Sequence, residues 1–98
     1  MMKELVIAEG KTAADYLKEM ENFLGDPTSK RCVLMAQGRN INILVDVAVI
    51  LRERNPKRIK IDDITIGTVK GLPIRADDYP KNLSTMKIVV VKTETFKE

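Results

Sequence analysis

The amino-acid sequence predicts an α/β fold of the two-layer α+β type, in the order β-α-β-α-β-β, with a four-stranded mixed sheet and two helices on one face. Four short apolar segments have the length and composition of strands, and two longer segments repeat apolar residues at helical spacing. The helices would form right-handed crossovers between the first three strands, and the last two strands would form a hairpin. The 98 residues, 44% apolar and 32% charged, suit one folded domain over 1–98.

The first half of the chain carries clear boundaries for three elements. A compact apolar segment at 5–8 predicts the first strand. Thr12 is the expected N-cap of the first helix, with Asp15 in a capping-box position, and this helix is expected to end at Gly25. A second apolar segment at 32–36 predicts a buried strand.

The second helix begins at a turn with the chemistry of an anion site. It should follow Gly38-Arg39, take Asn40 as its N-cap and end at Asn55, which precedes a proline and so resists helical geometry. A helix N-terminus exposes unpaired backbone N–H groups and a partial positive charge. Gly38 permits a tight turn, and Arg39 adds a planar fork of donors. The turn is therefore predicted to hold an anion, with phosphate the obvious ligand.

The second helix is also apolar around most of its circumference. The stripe expected to face the sheet consists of Ile41, Leu44, Val45, Ala48 and Leu51. The apolar residues outside that stripe are Ile43, Val47, Val49 and Ile50. A helix that must be buried on more than one side in so short a chain predicts a homodimer, in which a second copy covers the outer residues.

The last two strands are predicted to differ in their surroundings. Alternation over 58–66 slips by one residue, which predicts a β-bulge at Asp62-Asp63 in an edge strand. The more continuously apolar segment 85–91 predicts a strand flanked on both sides. The intervening 67–83 is too long for a tight turn and predicts a flexible hairpin arm, with a disordered loop as the alternative.

Several functional classes are disfavoured by composition. The chain has no histidine, one cysteine (Cys32), no P-loop and no dinucleotide-binding glycine motif, so we expect no catalysis, metal site, cofactor or small-molecule substrate. A single cysteine cannot form an internal disulfide, which fits a reducing intracellular setting. We also expect no targeting segment and no membrane span.

Charge is distributed unevenly along the chain. The net charge is +3 overall, but residues 1–29 carry three cations and six anions, so the later part of the chain is the basic side. A basic surface of this kind suits nucleic acid or another anionic surface. A merely solvated basic face is the alternative on charge alone.

Several ordered motifs resemble the Alba family of archaeal chromatin proteins. They are the segment Ala36-Gln37-Gly38-Arg39-Asn40-Ile41, Val45-Asp46 in the second helix, Arg52-Glu53-Arg54 at its end, Ile64-Thr65-Ile66-Gly67, and Ser84-Thr85-Met86-Lys87-Ile88. The resemblance covers nearly the whole chain, from Leu5 to Lys92. It implies a fold like the C-terminal domain of bacterial initiation factor three, with sheet order 1-2-4-3.

The resemblance also implies a function. Family members bind double-stranded DNA, and often RNA, as dimers and largely without sequence preference, so a cytoplasmic, nucleoid-associated role in DNA condensation would follow. The nucleic-acid contacts carried over are Lys11, Gln37, Gly38, Arg39, Asn40, Lys70 and Arg75. The expected dimer interface includes Ile43, Val47, Ile50, Arg54 and Asn55.

This sequence departs from the family at several of these positions. Gly10 replaces the first residue of a lysine pair, Gln37 replaces an arginine, and Asn55 stands where many members have an aromatic residue. Because fewer phosphate contacts mean weaker binding, RNA binding or a heterodimer with a more basic paralogue becomes more plausible. The alternative function is a protein–protein scaffold or a subunit of an RNA-processing ribonucleoprotein.

Overall fold

The structure, a computed structural model, describes residues 2–8, 10–70 and 82–93. Its elements are β1 (Met2–Val6), α1 (Ala13–Gly25), β2 (Arg31–Gln37), a 3₁₀ turn (Gly38–Asn40), α2 (Ile41–Arg54), β3 (Ile59–Lys70) and β4 (Asn82–Lys92). The predicted element order is confirmed, and every strand is longer than or shifted from the apolar segment that predicted it.

The strands form one mixed sheet in the order β1-β2-β4-β3. β1 and β2 are parallel, whereas β4 pairs antiparallel with both β2 and β3. The predicted central position of β4 and edge position of β3 are therefore confirmed. The register of β3 shifts between Ile61 and Asp63, where alternation slips in the sequence, so the predicted bulge is confirmed as well.

Local capping fixes where α1 begins. The Asp15 backbone N–H donates to the Thr12 hydroxyl oxygen at 3.3 Å, and the Thr12 backbone N–H donates to an Asp15 carboxylate oxygen at 3.0 Å. This reciprocal pair is the predicted capping box, and it satisfies donors that a helix start leaves unpaired. The α1 residues buried against the sheet and α2 are Tyr16, Leu17, Met20 and Phe23.

The core lies between the two helices and one face of the sheet. Its sheet side includes Leu5, Cys32, Leu34, Ile88 and Val90, all buried. The Cys32 thiol lies 3.7 Å from the Met20 sulfur, and burial raises the pKa of this thiol to about 11. Cys32 is therefore a protonated, apolar core residue at neutral pH.

The buried face of α2 differs from the predicted stripe. Leu44, Val47, Ala48 and Leu51 are buried, whereas Val45 is 38% exposed. At about 100° per residue, this places the buried arc on the Val47 side of Leu44 rather than on the Val45 side. The rotation follows from packing, because α2 contacts α1 as well as the sheet. Val47 was expected to face a partner, and that prediction is wrong because Val47 belongs to the chain's own core.

Candidate nucleic-acid interface

Three predicted contact elements lie at one edge of the sheet. β1 and β2 are parallel neighbours with Val6 opposite Met35, so the loop after β1 and the turn after β2 leave the sheet at the same edge. Gln37, Thr85 and Gly67 are aligned across β2, β4 and β3, and β3 and β4 continue beyond that point. The loop that carries Lys11, the turn that carries Arg39 and the start of the arm therefore share this edge.

The loop between β1 and α1 is held in place by Tyr16. The buried Tyr16 hydroxyl donates to the Ala8 carbonyl oxygen at 2.9 Å, and the Ala8 backbone N–H donates to the same hydroxyl oxygen at 2.8 Å. The Lys11 ammonium lies 5.6 Å from the centre of the Tyr16 ring, and it forms an ion pair with Glu19 at 3.5 Å. Lys11 is thus presented at the surface, but in contact with a carboxylate that an incoming phosphate would compete with.

The turn between β2 and α2 depends on a glycine. Gly38 has φ of +59°, a backbone conformation that favours glycine, and a Cβ there would lie 3.5 Å from the Leu83 Cδ2 of β4. The turn thus abuts the first part of β4, and Arg39 next to it is exposed. Asn40 was the expected side-chain cap of α2. It occupies the predicted N-cap position immediately before Ile41, but its backbone is helical (φ −73°) and its side chain makes no capping hydrogen bond among the described residues.

A cleft of about 520 Å³ opens at the same edge. Gln37 and Asn40 line it, together with Ile66 and Met86 from the base of the arm. Asn40 therefore borders this cleft, and its side chain does not cap α2. Polar groups that face outward here could hydrogen-bond to phosphate or sugar oxygens.

The arm is described only near its base. β3 and β4 pair as far as Lys70 opposite Asn82, and Val69 and Leu83 of this paired segment are exposed. Lys70 is the last residue of β3. Arg75 and the rest of the predicted arm between 71 and 81 lie outside the described residues.

The predicted dimer residues fall in different places. Ile43 and Ile50 are half-buried and pack against the core. Arg54 and Asn55 lie at the far end of α2, beside a concavity shared with Leu24 of α1. Ile43, Ile50 and Arg54 lie within about 40° of one another on the helix circumference and so share one flank of α2. Because Arg54 borders the concavity shared with α1, this flank faces α1.

An exposed apolar surface lies on the other flank of α2. Ile64 and Ile66 of β3 are 54% and 74% exposed, although they are aligned with the core-facing Ile88 and Met86 of β4 and so lie on the helix side of the sheet. Val45 is exposed and Val49 half-buried, and at about 100° per residue both lie on the flank of α2 opposite Ile43 and Ile50. These four residues, Val45, Val49, Ile64 and Ile66, are called the apolar patch below.

Two searches of the described residues address other kinds of site. No group of three or more His, Cys, Asp or Glu side chains that could hold a metal ion occurs among them. Within the same part of the chain, no helix has the length and apolar character needed to cross a membrane.

The fold and this edge define a small α+β protein with basic residues on a turn, a loop and a paired arm. The family model of Alba matches residues 3–68, more than half of the chain, and the chain belongs to the Alba family. The resemblance predicted from the motifs is thus confirmed, and membership supports a nucleic-acid-binding role in general.

Solved structures show the same fold. The chain is similar to Alba from Thermoplasma volcanium, with a TM-score of 0.74 and 19% identity over 91% of this chain and 99% of that one. It is also similar to ALBA1 from Trypanosoma brucei, with a TM-score of 0.70 and 20% identity over 96% of this chain and 72% of that one.

Sequence reasoning missed three residues that shape this edge. Tyr16 was assigned only to the apolar stripe of α1, Glu19 only to its solvent face, and Leu83 to the arm. Tyr16 and Glu19 each contact a residue eight positions earlier in the chain, Ala8 and Lys11 respectively. Leu83 lies much farther along the chain from its neighbour Gly38. A spacing of eight residues at a helix start is only a weak local signal in the sequence. No sequence pattern predicts the contact between Gly38 and Leu83, which are far apart along the chain.

Proposed function

We propose that this protein is a dimeric, sequence-nonspecific nucleic-acid-binding protein that contacts the phosphate backbone. The body contact consists of Lys11 and the turn at Gln37, Gly38, Arg39 and Asn40, and the arm adds Lys70 and Arg75. The observation that supports this most strongly is that the loop, the turn and the base of the arm leave the sheet at one edge. Phosphate contacts of this kind position a protein without reading sequence.

Double-stranded DNA and RNA are both candidate targets. If duplex DNA is the main one, the protein would act as an archaeal-type chromatin protein, associated with the nucleoid in the cytoplasm and able to condense DNA. The absence of charge at Gly10 and Gln37 favours weaker binding than a surface with a basic residue at both positions.

Binding of one fluorescent duplex, prepared as DNA and as RNA, across a range of salt concentrations tests this function. A steep fall of affinity with salt, similar for unrelated sequences, is expected, and the slope on log–log axes reports about 0.9 per neutralised phosphate of B-DNA. Arg39→Ala should weaken all sequences alike and make the slope shallower by roughly one per phosphate no longer neutralised. Absence of binding to either duplex at low salt would contradict the proposal and favour the alternative function, a protein–protein scaffold.

We further propose that the apolar patch forms the dimer interface. Ile64 and Ile66 expose large apolar side chains on the helix side of an edge strand, where a second copy of the chain would remove them from water. This replaces Val47 as an interface residue, and a heterodimer with a more basic paralogue would use the same surface.

The mass in solution, measured by light scattering, tests the interface. Ile66→Glu should shift the protein from dimer to monomer, because it places a charge inside the proposed contact. Met2→Glu is the matched control, since Met2 is 52% exposed on β1 and lies outside both the apolar patch and the cleft that Ile66 lines. Equal masses for the wild type and both variants would contradict this interface.

A further inference from the structure

Along the sequence, cations are most closely spaced where α2 connects to β3, at the opposite end of α2 from the turn described above. Residues 52–60, called the basic corner below, contain five cations and one carboxylate, and their net charge exceeds that of the whole chain. The side chains concerned are those of Arg52, Arg54, Lys57, Arg58 and Lys60, with Glu53 as the anion. Four of these cations are exposed, and Arg58 is half-buried.

The backbone of the basic corner is held by hydrogen bonds. The side chain of Asn55 donates to the Leu51 carbonyl oxygen at 3.0 Å and so caps the end of α2. The Arg58 backbone N–H donates to the Asn55 carbonyl oxygen at 3.1 Å, and the Thr93 hydroxyl donates to the Lys57 carbonyl oxygen at 2.6 Å. Because the backbone is already ordered, little further entropy would be lost when a ligand binds the cations.

The helix dipole accounts for only part of this charge. Cations in the last turn of α2 stabilise its negative end, which explains Arg52 and Arg54. It does not explain Lys60, which lies beyond the helix in β3. The ion pairs of Lys11 with Glu19 and of Arg31 with Asp62 include none of Arg52, Arg54 and Lys60. The nearby carboxylates are Glu53 and, beside Arg54, Glu21 of α1, so the cations of the basic corner outnumber the anions around them.

The basic corner lies at the opposite end of α2 from the proposed phosphate-binding turn. α2 has 14 residues and is therefore about 21 Å long, with Arg39 just before its start and the basic corner at its end. That separation exceeds two Debye lengths at physiological ionic strength, so the two surfaces act as separate electrostatic sites.

The chemistry of the basic corner fits a phosphate backbone better than a protein partner. Protein interfaces generally need a buried apolar centre. The exposed large apolar residues of the described chain all lie elsewhere: Met2, Val6, Val45, Ile64, Ile66, Val69 and Leu83. A surface with many cations and no apolar anchor is typical of backbone contacts to nucleic acid.

We infer that the basic corner is a second phosphate-contacting surface, distinct from Lys11, the turn and the arm. This inference rests on the proposed function. In this arrangement each protomer contacts nucleic acid at both ends of α2. Total affinity and its salt dependence then depend on both surfaces.

The test compares two variants that each remove two positive charges. Arg54→Gln/Lys60→Gln removes one exposed cation from a helix and one from an edge strand within the basic corner. Lys18→Gln/Lys3→Gln removes the exposed Lys18 from helix α1 and the half-buried Lys3 from the edge strand β1, both outside the basic corner. Affinity for one duplex is measured against salt concentration for both, with circular dichroism and light scattering to check fold and mass.

The expected result is a shallower log–log slope for the corner variant, by about 0.9 for each phosphate that the variant no longer neutralises, and an unchanged slope for the control. Equal slopes for the two variants, with Arg39→Ala still shallower than the wild type, would overturn this inference and leave the proposed function intact. A wild-type protein that shows no salt-dependent binding would overturn the proposed function itself.

Discussion

Replacing Gly38 by alanine tests whether the turn before α2 depends on the left-handed backbone of this residue. At φ of +59°, a residue with a Cβ is strained by roughly 1–2 kcal/mol. The new methyl group would lie 3.5 Å from the Leu83 side chain, an ordinary contact, so no clash is added. Alanine also restricts the unfolded chain, which offsets part of the strain. We therefore expect a net loss of about 1 kcal/mol.

For a domain of this size, that loss corresponds to a melting temperature lower by roughly 4–8 °C. Thermal unfolding followed by far-ultraviolet circular dichroism measures it. Gly25→Ala is the matched control, because Gly25 ends α1, has no positive φ and leaves open space around a Cβ. This control should melt at or above the wild-type temperature. Equal melting temperatures for Gly38→Ala and the wild type would refute the assigned turn geometry.

Three other substitutions test contacts near the edge and in the core. Glu19→Gln frees Lys11, whose side chain is 55% exposed, from a surface ion pair worth about 0.2–1 kcal/mol. Affinity for duplex should therefore rise about 1.4- to 5-fold. An equal gain from Glu21→Gln on the same helix would contradict competition between Glu19 and phosphate for Lys11. Because the pKa of Cys32 is raised to about 11 when folded, against about 8.5 when unfolded, its contribution to stability is present below pH 8.5 and lost as pH rises toward 11. The stability difference between the wild type and Cys32→Ala, measured by urea unfolding, should narrow over that range, and a constant difference would contradict the raised pKa. Tyr16→Phe leaves two backbone groups of the β1–α1 loop without their hydroxyl partner and should cost about 1–3 kcal/mol in urea unfolding, whereas wild-type stability would argue against this role for the hydroxyl.

The sequence predicted those features that depend on neighbouring residues. The capping box of α1 needs only Thr12 and Asp15, three positions apart, and the bulge in β3 appears as a slip in alternation at Asp62. The edge position of the third strand and the central position of the fourth followed from the contrast between a polar, alternating strand and a continuously apolar one, whereas the full strand order was implied by the family resemblance. In each case the physical cause and the sequence signal lie in the same short segment.

The orientation of α2 could not be predicted in the same way. A helix that is apolar around most of its circumference has no single stripe, so periodicity leaves its rotation undetermined. Contact with α1 rotates the buried arc toward Val47 and leaves Val45 at the surface. The candidate site was affected less, because parallel pairing of β1 and β2 brings Lys11 and Arg39 to one edge whatever the rotation of α2.

Asn55 illustrates how the structure changes the interpretation of a departure from the family pattern. From the motifs alone, this residue stood where many family members have an aromatic side chain. In the structure, its side chain donates to the Leu51 carbonyl oxygen at 3.0 Å, and its backbone N–H donates to the Leu51 and Arg52 carbonyl oxygens. These bonds satisfy acceptors that a helix end leaves unpaired. Asn55 therefore has a sufficient local role in ending α2, and its identity gives no reason to place a partner protein at the basic corner.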